Sequence, residues 1–302
     1  MVELPEALTR RQFAIQCLVG DVECALDGLD AGDDVVEIRT SELGSSDTGE
    51  TSVRQRIIPV LLLGLEGLVK TVRFSKPTYV GDPVNAVRIF NEKEVDELIL
   101  LDICATVHGR SPRYDVIEEI AQECFMPLCY GGGVRSLEDI QKLANVGVEK
   151  VAINTRAVEE PEFLTQATRE FAGSSIVVAI DVKRGFWGRP TVWTHAGRKD
   201  TKRDPVELAR EIADRGAGEV LLTSIDRDGT MQGYDGELIQ TVSDAVPIPV
   251  IACGGAGSVA DLQEALRRHA SAAAAGSLFV FQGRHRAVLI SYPSASDLRR
   301  TV

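Results

Sequence analysis

From Arg56 onward, short runs of β-branched and aliphatic residues alternate with longer stretches in which apolar positions recur every three to four residues. Continuous apolar runs of this length read as strands buried on both faces, and the periodic stretches read as amphipathic helices lying over them. The pattern predicts strands over Arg56–Leu63, Leu98–Ile103, Pro127–Tyr130, Lys150–Ile153, Ile176–Asp181, Glu219–Ile225, Ile248–Cys253 and Ala272–Ala275. Helical stretches follow them, among them Asp82–Glu94, Leu137–Asn145, Pro161–Phe171, Asp204–Asp214 and Val259–Arg268. Asp82-Pro83 and Asp204-Pro205 each set a capping side chain ahead of a first-turn proline, a helix start signal. Eight strand–helix units in series predict an α/β fold, a (β/α)8 TIM barrel.

An internal repeat supports closure. Pro127-Leu-Cys-Tyr-Gly-Gly-Gly-Val-Arg-Ser136 returns 122 residues later as Pro249-Val-Ile-Ala-Cys-Gly-Gly-Ala-Gly-Ser258, and the same offset aligns Glu97 with Glu219, Ile103 with Ile225 and Asp139 with Asp261. Two half-barrel repeats account for this spacing. Residues 1–52 break the rhythm: apart from Leu8–Leu18, which has the pattern of a short helix, they are polar and acidic. The expected organisation is a flexible acidic extension over 1–52 followed by the barrel over 53–302.

Composition changes this picture in one respect. With 44% hydrophobic and 26% charged residues the chain is globular. Its net charge is -12, and residues 1–52, with 12 acidic and 3 basic side chains, supply -9 of it. No basic stripe marks a nucleic-acid surface, so a phosphate must be held by a focused site. No apolar run approaches the roughly 20 residues of a membrane span, and no basic start precedes an apolar stretch, so no membrane partner and a cytoplasmic location are expected. The cysteines Cys17, Cys24, Cys104, Cys124, Cys129 and Cys253 lack C-x-x-C spacing and read as free thiols. His108, His195, His269 and His285 have no metal-ligand spacing, and neither a metal nor a cofactor is expected.

In a TIM barrel the loops at the carboxyl ends of the strands build the site, and phosphates settle where glycine-rich loops bare backbone N–H groups. Such parts occur twice. Gly132 and Gly133 after the third strand with Asn154 and Thr155 after the fourth make one candidate cradle, and Gly254 and Gly255 with Gly276 and Ser277 make the other. One Gly-Gly pair is an ordinary turn, whereas two at symmetric positions point to a ligand with two phosphates. Asp181 ends the fifth strand, where a carboxylate can work as general acid or base, or cap the next segment. Asp102 and Asp228 either orient polar ligand groups or satisfy loop amides. At the opposite rim Arg56, Glu97, Lys150 and Glu219 stand at or just before the strand starts, where two cations and two anions can close a salt-bridged ring or simply stabilise the barrel bottom.

Together these motifs resemble the cyclase subunit of imidazole glycerol phosphate synthase, the histidine-biosynthesis barrel, from Arg56 to about Phe281. The resemblance rests on Arg-Ile-Ile-Pro, Lys-Val-Ala-Ile-Asn-Thr, Val-Val-Ala-Ile-Asp, Leu-Leu-Thr-Ser-Ile-Asp-Arg-Asp-Gly-Thr and Cys-Gly-Gly-Ala-Gly in that order. It implies that the glycine pairs hold two substrate phosphates, that Lys70 lies on a mobile first loop, that Asp181 is catalytic, and that Lys70, Asp102, Thr223 and Asp228 contact substrate. It also implies that the rim charges form the gate through which ammonia arrives from a docked glutaminase subunit of the HisH type.

One departure qualifies this. Where the family has a second catalytic aspartate at the end of the first strand, this chain has Leu62, and a leucine cannot move a proton. Together with Lys-Pro-Thr-Tyr-Val-Gly-Asp-Pro and Phe-Met-Pro-Leu-Cys-Tyr, this resembles a paralogous branch associated with acetamidino sugars of surface polysaccharides. For that branch a sugar amidotransferase is a further expected partner. The alternatives are a histidine-pathway cyclase working with Asp181 alone and a barrel that only activates its glutaminase.

Overall fold

Eight parallel strands form a sheet that closes on itself: β1 (Arg56–Leu63), β2 (Leu98–Asp102), β3 (Leu128–Gly131), β4 (Lys150–Ile153), β5 (Ile176–Arg184), β6 (Glu219–Ser224), β7 (Val250–Cys253) and β8 (Ala272–Ala275). Each pairs with its successor, and the ladder Arg56↔Ala272 to Pro59↔Ala275 between β1 and β8 completes the ring. The computed structural model describes residues 56–185, 188–283, 285–294 and 297–298. The acidic extension expected over 1–52, its helix over Leu8–Leu18, and Cys17 and Cys24 lie outside the described residues.

The expected strands lie within one to three residues of those observed, and the helix starts are the ones that local chemistry dictates. Asp82 accepts from the N–H of Asn85 ahead of Pro83, and Asp204 accepts from Val206 and Glu207 ahead of Pro205. The repeat is carried into structure. Leu137–Asn145 and Val259–Arg267 are helices 122 residues apart, each opened by a reciprocal capping box, Ser136 with Asp139 and Ser258 with Asp261.

Two departures add antiparallel pieces. After β1 the chain forms a hairpin, Leu68–Val72 with Ser75–Gly81, that continues pairing with β1. After β5 it turns back through Pro190–Thr194, so that Asp181 faces Trp193 across the ladder. The first loop, on which Lys70 was expected, is thus a hairpin over the mouth.

Apolar burial is divided in two. A large cluster, including Leu98, Leu100, Ile117, Ile120 and Phe90, fills the layer between sheet and helices. A second, including Ile58, Ile99, Cys129, Ala152, Val177, Leu221, Ile251 and Ala274, fills the lumen. Cys129 and Cys253 are buried free thiols as expected, Cys124 is buried with its Sγ donating to the Met126 carbonyl, and Cys104 is half-buried.

The two capping boxes make a direct test of the repeat. Ser136→Ala and Ser258→Ala are each expected to cost about 1 kcal/mol of unfolding free energy, measured by urea denaturation. Costs that differ more than about threefold would show that the two halves do not share this device energetically.

Candidate active site

Alternation along the strands decides which side chains meet inside the barrel, because residues two apart point to the same face. On β1 this joins Arg56 to Ile58, Val60 and Leu62; on β5 it joins Val177 to Ala179 and Asp181; on β6 it joins Glu219 to Leu221 and Thr223. The rim charges and the groups at the mouth therefore belong to one inward-facing set, about 13–20 Å apart along a strand and separated by apolar side chains.

At the amino-terminal rim the four predicted charges close into a ring. Arg56 donates from Nη1 to Glu97 Oε2 at 2.6 Å and from Nη2 to Glu219 Oε1 at 2.8 Å. Lys150 Nζ donates to Glu97 Oε2 at 3.0 Å and to Glu219 Oε2 at 3.2 Å. Cations and anions alternate, so each charge has two opposite neighbours. Attraction to Glu219 and Glu97 raises the Arg56 pKa against the opposing effect of burial.

At the carboxyl mouth lies a cavity of about 500 Å³. Its wall includes Lys70, Asp102, Gly132, Gly133, Asn154, Thr155, Asp181, Thr223, Asp228, Gly254, Gly255, Gly276 and Ser277, so every residue expected to bind substrate or act on it borders one space. The glycines are sterically required. Gly133 has φ +75° and a Cβ there would lie 2.7 Å from the Arg110 carbonyl oxygen, and Gly254 has φ +88° with the Ser224 carbonyl oxygen at 2.8 Å.

Asn154 has a second duty. Its Nδ2 donates to the carbonyls of Ala179 at 2.9 Å and Trp193 at 3.3 Å, tying β4 to the hairpin after β5. Asp102 likewise accepts from the N–H groups of Cys104 and Ala105 and so shapes its own loop.

Burial sets the electrostatics of the mouth. Asp181 is pushed up to about 7 by burial and then by the neighbouring Asp228 carboxylate, with a hydrogen bond from Thr223 opposing both. Asp228 is also raised by burial, against the pull of Lys70 and a hydrogen bond from Thr71 Oγ1 at 3.3 Å. Burial lowers Lys70 to about 8, while Asp228 works the other way. Lys70 Nζ donates to the Val60 carbonyl at 2.5 Å, beside Gly276. The mouth thus holds an acid and an amine that both titrate near neutrality.

The ladder registers locate the leucine. Leu62 pairs with Leu101 between β1 and β2, and Asp181 pairs with Thr223 between β5 and β6. Since Leu101 and Thr223 are 122 residues apart, Leu62 is the half-barrel counterpart of Asp181. One half carries an aspartate–threonine pair where the other carries two leucines. Glu66 is exposed in the turn after β1 and does not border the cavity.

Sequence reasoning missed several wall residues: Arg110, Arg135, Arg156 and Arg198, with Cys104, His108, Glu159 and His195. They come from four loops, and no local spacing announces their convergence. The thiol of Cys104 is raised by burial and by Asp102, against Arg110, Arg113 and Arg198.

The chain matches the histidine biosynthesis protein family over residues 56–286. The provisionally named imidazole glycerol phosphate synthase subunit hisF2 of Pseudomonas aeruginosa is 54% identical over 247 residues, covering 82% of this chain and 98% of that protein. A likewise provisionally named subunit HisF of Leptospira borgpetersenii is 47% identical, covering 81% and 97%. Subunit hisF3 of Vibrio vulnificus, also provisional, is 46% identical, covering 83% and 97%.

Because the folded-state pKa of Asp181 lies above that of a free carboxylate, the folded chain holds a proton that the unfolded chain loses, and stability falls as pH rises from about 4 through about 7. Asp181→Asn removes this penalty. Relative to wild type it is expected to raise the melting temperature at pH 8 by about 2–4 °C for each kcal/mol relieved, and to have little effect at pH 4. Thermal melts across this range test it, and an equal shift at both pH values would refute the assigned titration.

Proposed function

Since the chain belongs to the histidine biosynthesis protein family, as a barrel of the imidazole glycerol phosphate synthase cyclase-subunit type, we propose that it is an ammonia-using, phosphate-binding synthase subunit that works with a glutaminase in forming an acetamidino sugar for a surface polysaccharide. The observation that carries this reading is a contrast. The charged ring and both glycine cradles are present, while Leu62 and Leu101 stand where the other half has Asp181 and Thr223. A positioned acid–base group contributes about 10²–10⁴-fold, so its absence bears on ring closure and leaves ammonia handling untouched. The suffixes of hisF2 and hisF3 fit copies additional to a histidine-pathway enzyme.

In this reading the glutaminase docks at the amino-terminal rim and releases ammonia at the ring. An apolar lumen admits neutral ammonia and rejects the ammonium ion, whose desolvation is costly. Ile58, Cys129, Ala152 and Leu221 line the way to the mouth. There the two cradles hold a phosphorylated ligand, Lys70 covers it, and Asp181 gives or takes a proton. A separate cytoplasmic sugar amidotransferase consumes the ammonia.

A second reading, a cyclase of histidine biosynthesis using Asp181 alone, is favoured by one observation: Asp181 is a buried carboxyl pushed up to about 7, suited to proton transfer. The deciding experiment is ammonia-dependent turnover of the phosphoribulosyl formimino substrate by the purified barrel, with Asp181→Asn as control. Turnover lost on substitution would return the protein to the histidine pathway. No turnover with glutaminase stimulation intact supports the amidination role. If that stimulation also survives both Asp181→Asn and disruption of the Gly254-Gly255 loop unchanged, the barrel only activates its partner.

The ring makes a separate prediction. Lys150→Ala leaves Arg56 bridging both glutamates, so the barrel is expected to stay folded at a cost of about 1–3 kcal/mol. Glutamine-dependent and ammonia-dependent rates should then diverge by about tenfold. Rates that move in parallel would remove the gate from the mechanism.

A further inference from the structure

The two cradles are copies in backbone, yet the side chains around them are not. Offset by 122 residues, Arg110 corresponds to Gln232, Arg135 to Gly257 and Arg156 to Leu278. The third and fourth strands, their capping boxes and the short helices at Thr155 and Ser277 align at this offset without a gap, so the correspondence is positional. Arg198, from the hairpin after β5, borders the same cavity and acts with Arg110 on the thiol of Cys104. Four arginines therefore stand in the wall of one end of the cavity, in a chain whose net charge is -12.

These arginines are incompletely satisfied. Arg110 Nη2 and Arg156 Nε are buried donors without a hydrogen-bond partner. Arg110 stands 3.9 Å from Asp102, longer than a good ion pair, and Asp102 already serves two loop amides. Arg135 donates only to neutral partners, the Gly109 carbonyl at 3.1 Å and Ser111 Oγ at 3.0 Å. Among the described residues no carboxylate forms a salt bridge with Arg135 or Arg198. Arg156 is paired with Glu160 and lies over the Phe163 ring, which hold it in place. The nearby Glu159 is engaged by Lys199 at 2.6 Å.

We propose that the first cradle, at Gly132, Gly133, Asn154 and Thr155, takes a diphosphate, the end group of an organic diphosphate ester, while the second takes a single phosphoryl group. The inference rests on the phosphate-binding reading above and deepens it. A single phosphate is matched by the backbone amides of one cradle with one cation beside them, as in the second half, where Lys70 stands by Gly276 and no arginine occupies the positions equivalent to Arg110, Arg135 and Arg156. Glu160 and Asp102 serve Arg156 and Arg110, but Arg135 and Arg198 have no carboxylate partner among the described residues, and the cluster calls for more anionic oxygens than one phosphate carries. Arginine, with a planar fork of donors, pairs with such oxygens two at a time.

The test exchanges in the residues that the chain itself uses in its other half. Inorganic pyrophosphate and orthophosphate are titrated calorimetrically into the full-length protein and into Arg135→Gly/Arg156→Leu at about 0.15 M salt, where exposed charges are screened. Wild type should bind pyrophosphate at least about tenfold more tightly than orthophosphate, and the double variant should lose about tenfold in pyrophosphate affinity and under about threefold in orthophosphate affinity. Arg198→Ala, an exposed change, should weaken pyrophosphate alone and serves if the double variant fails to fold. Orthophosphate binding without a pyrophosphate preference, or a preference that survives these substitutions, overturns the inference and spares the phosphate-site reading. If neither anion binds, both fall.

Discussion

A closed parallel sheet leaves half of its side chains only one place to go, the lumen, and this constraint orders everything else in the molecule. The lumen is narrow, so its middle must be apolar and well filled, as Ile58, Ile99, Val177, Leu221 and Ile251 make it. Polar groups are tolerated only at the two ends. A single alternation of side chains thereby sets the ring of Arg56, Glu97, Lys150 and Glu219 and the mouth group around Asp181 on one axis without any further device. The helices outside bury the other half of the strand residues and act on the site only through the loops they anchor.

The two ends solve opposite electrostatic problems. At the rim, partly buried charges are matched by alternation, since each glutamate is hydrogen-bonded by both cations. Such a network has little net effect on stability, because desolvation offsets attraction, and its merit lies in a defined geometry. At the mouth, burial is not fully compensated. Asp181 and Lys70 are both drawn toward neutrality, which leaves groups whose protonation responds to a ligand's charge. The acidity of the whole chain does not carry over to this cavity, where arginines crowd one side.

The sequence was most informative where a local rule applies. Asp82-Pro83, Asp204-Pro205 and the repeated Ser-x-x-Asp caps each fix a helix start through contacts within four residues, and the glycine pairs announce positions where a side chain would collide with the neighbouring loop. Every residue singled out at the mouth borders the one cavity because strand ends are easily read from apolar runs. The two hairpins escaped notice, since the first turns at Arg73-Phe74, which carries no turn-forming residue, and both lie within stretches that a barrel would use as plain loops. Arg110, Arg135, Arg156 and Arg198 escaped for a different reason. They belong to separate loops, and a lone arginine in a loop ordinarily reads as a solvated surface residue. Only closure of the barrel brings them together.

The hairpin after β1 has one more consequence. Lys70 hangs from the Val60 carbonyl, and its ammonium fills the space directly above Gly276, so that even a methyl group there would overlap it. The second cradle thus carries its own cation, delivered by the hairpin rather than by the loops after β7 and β8, and a phosphoryl group resting against Gly276 and Ser277 would exchange the Val60 carbonyl for its own oxygens as the partner of Lys70.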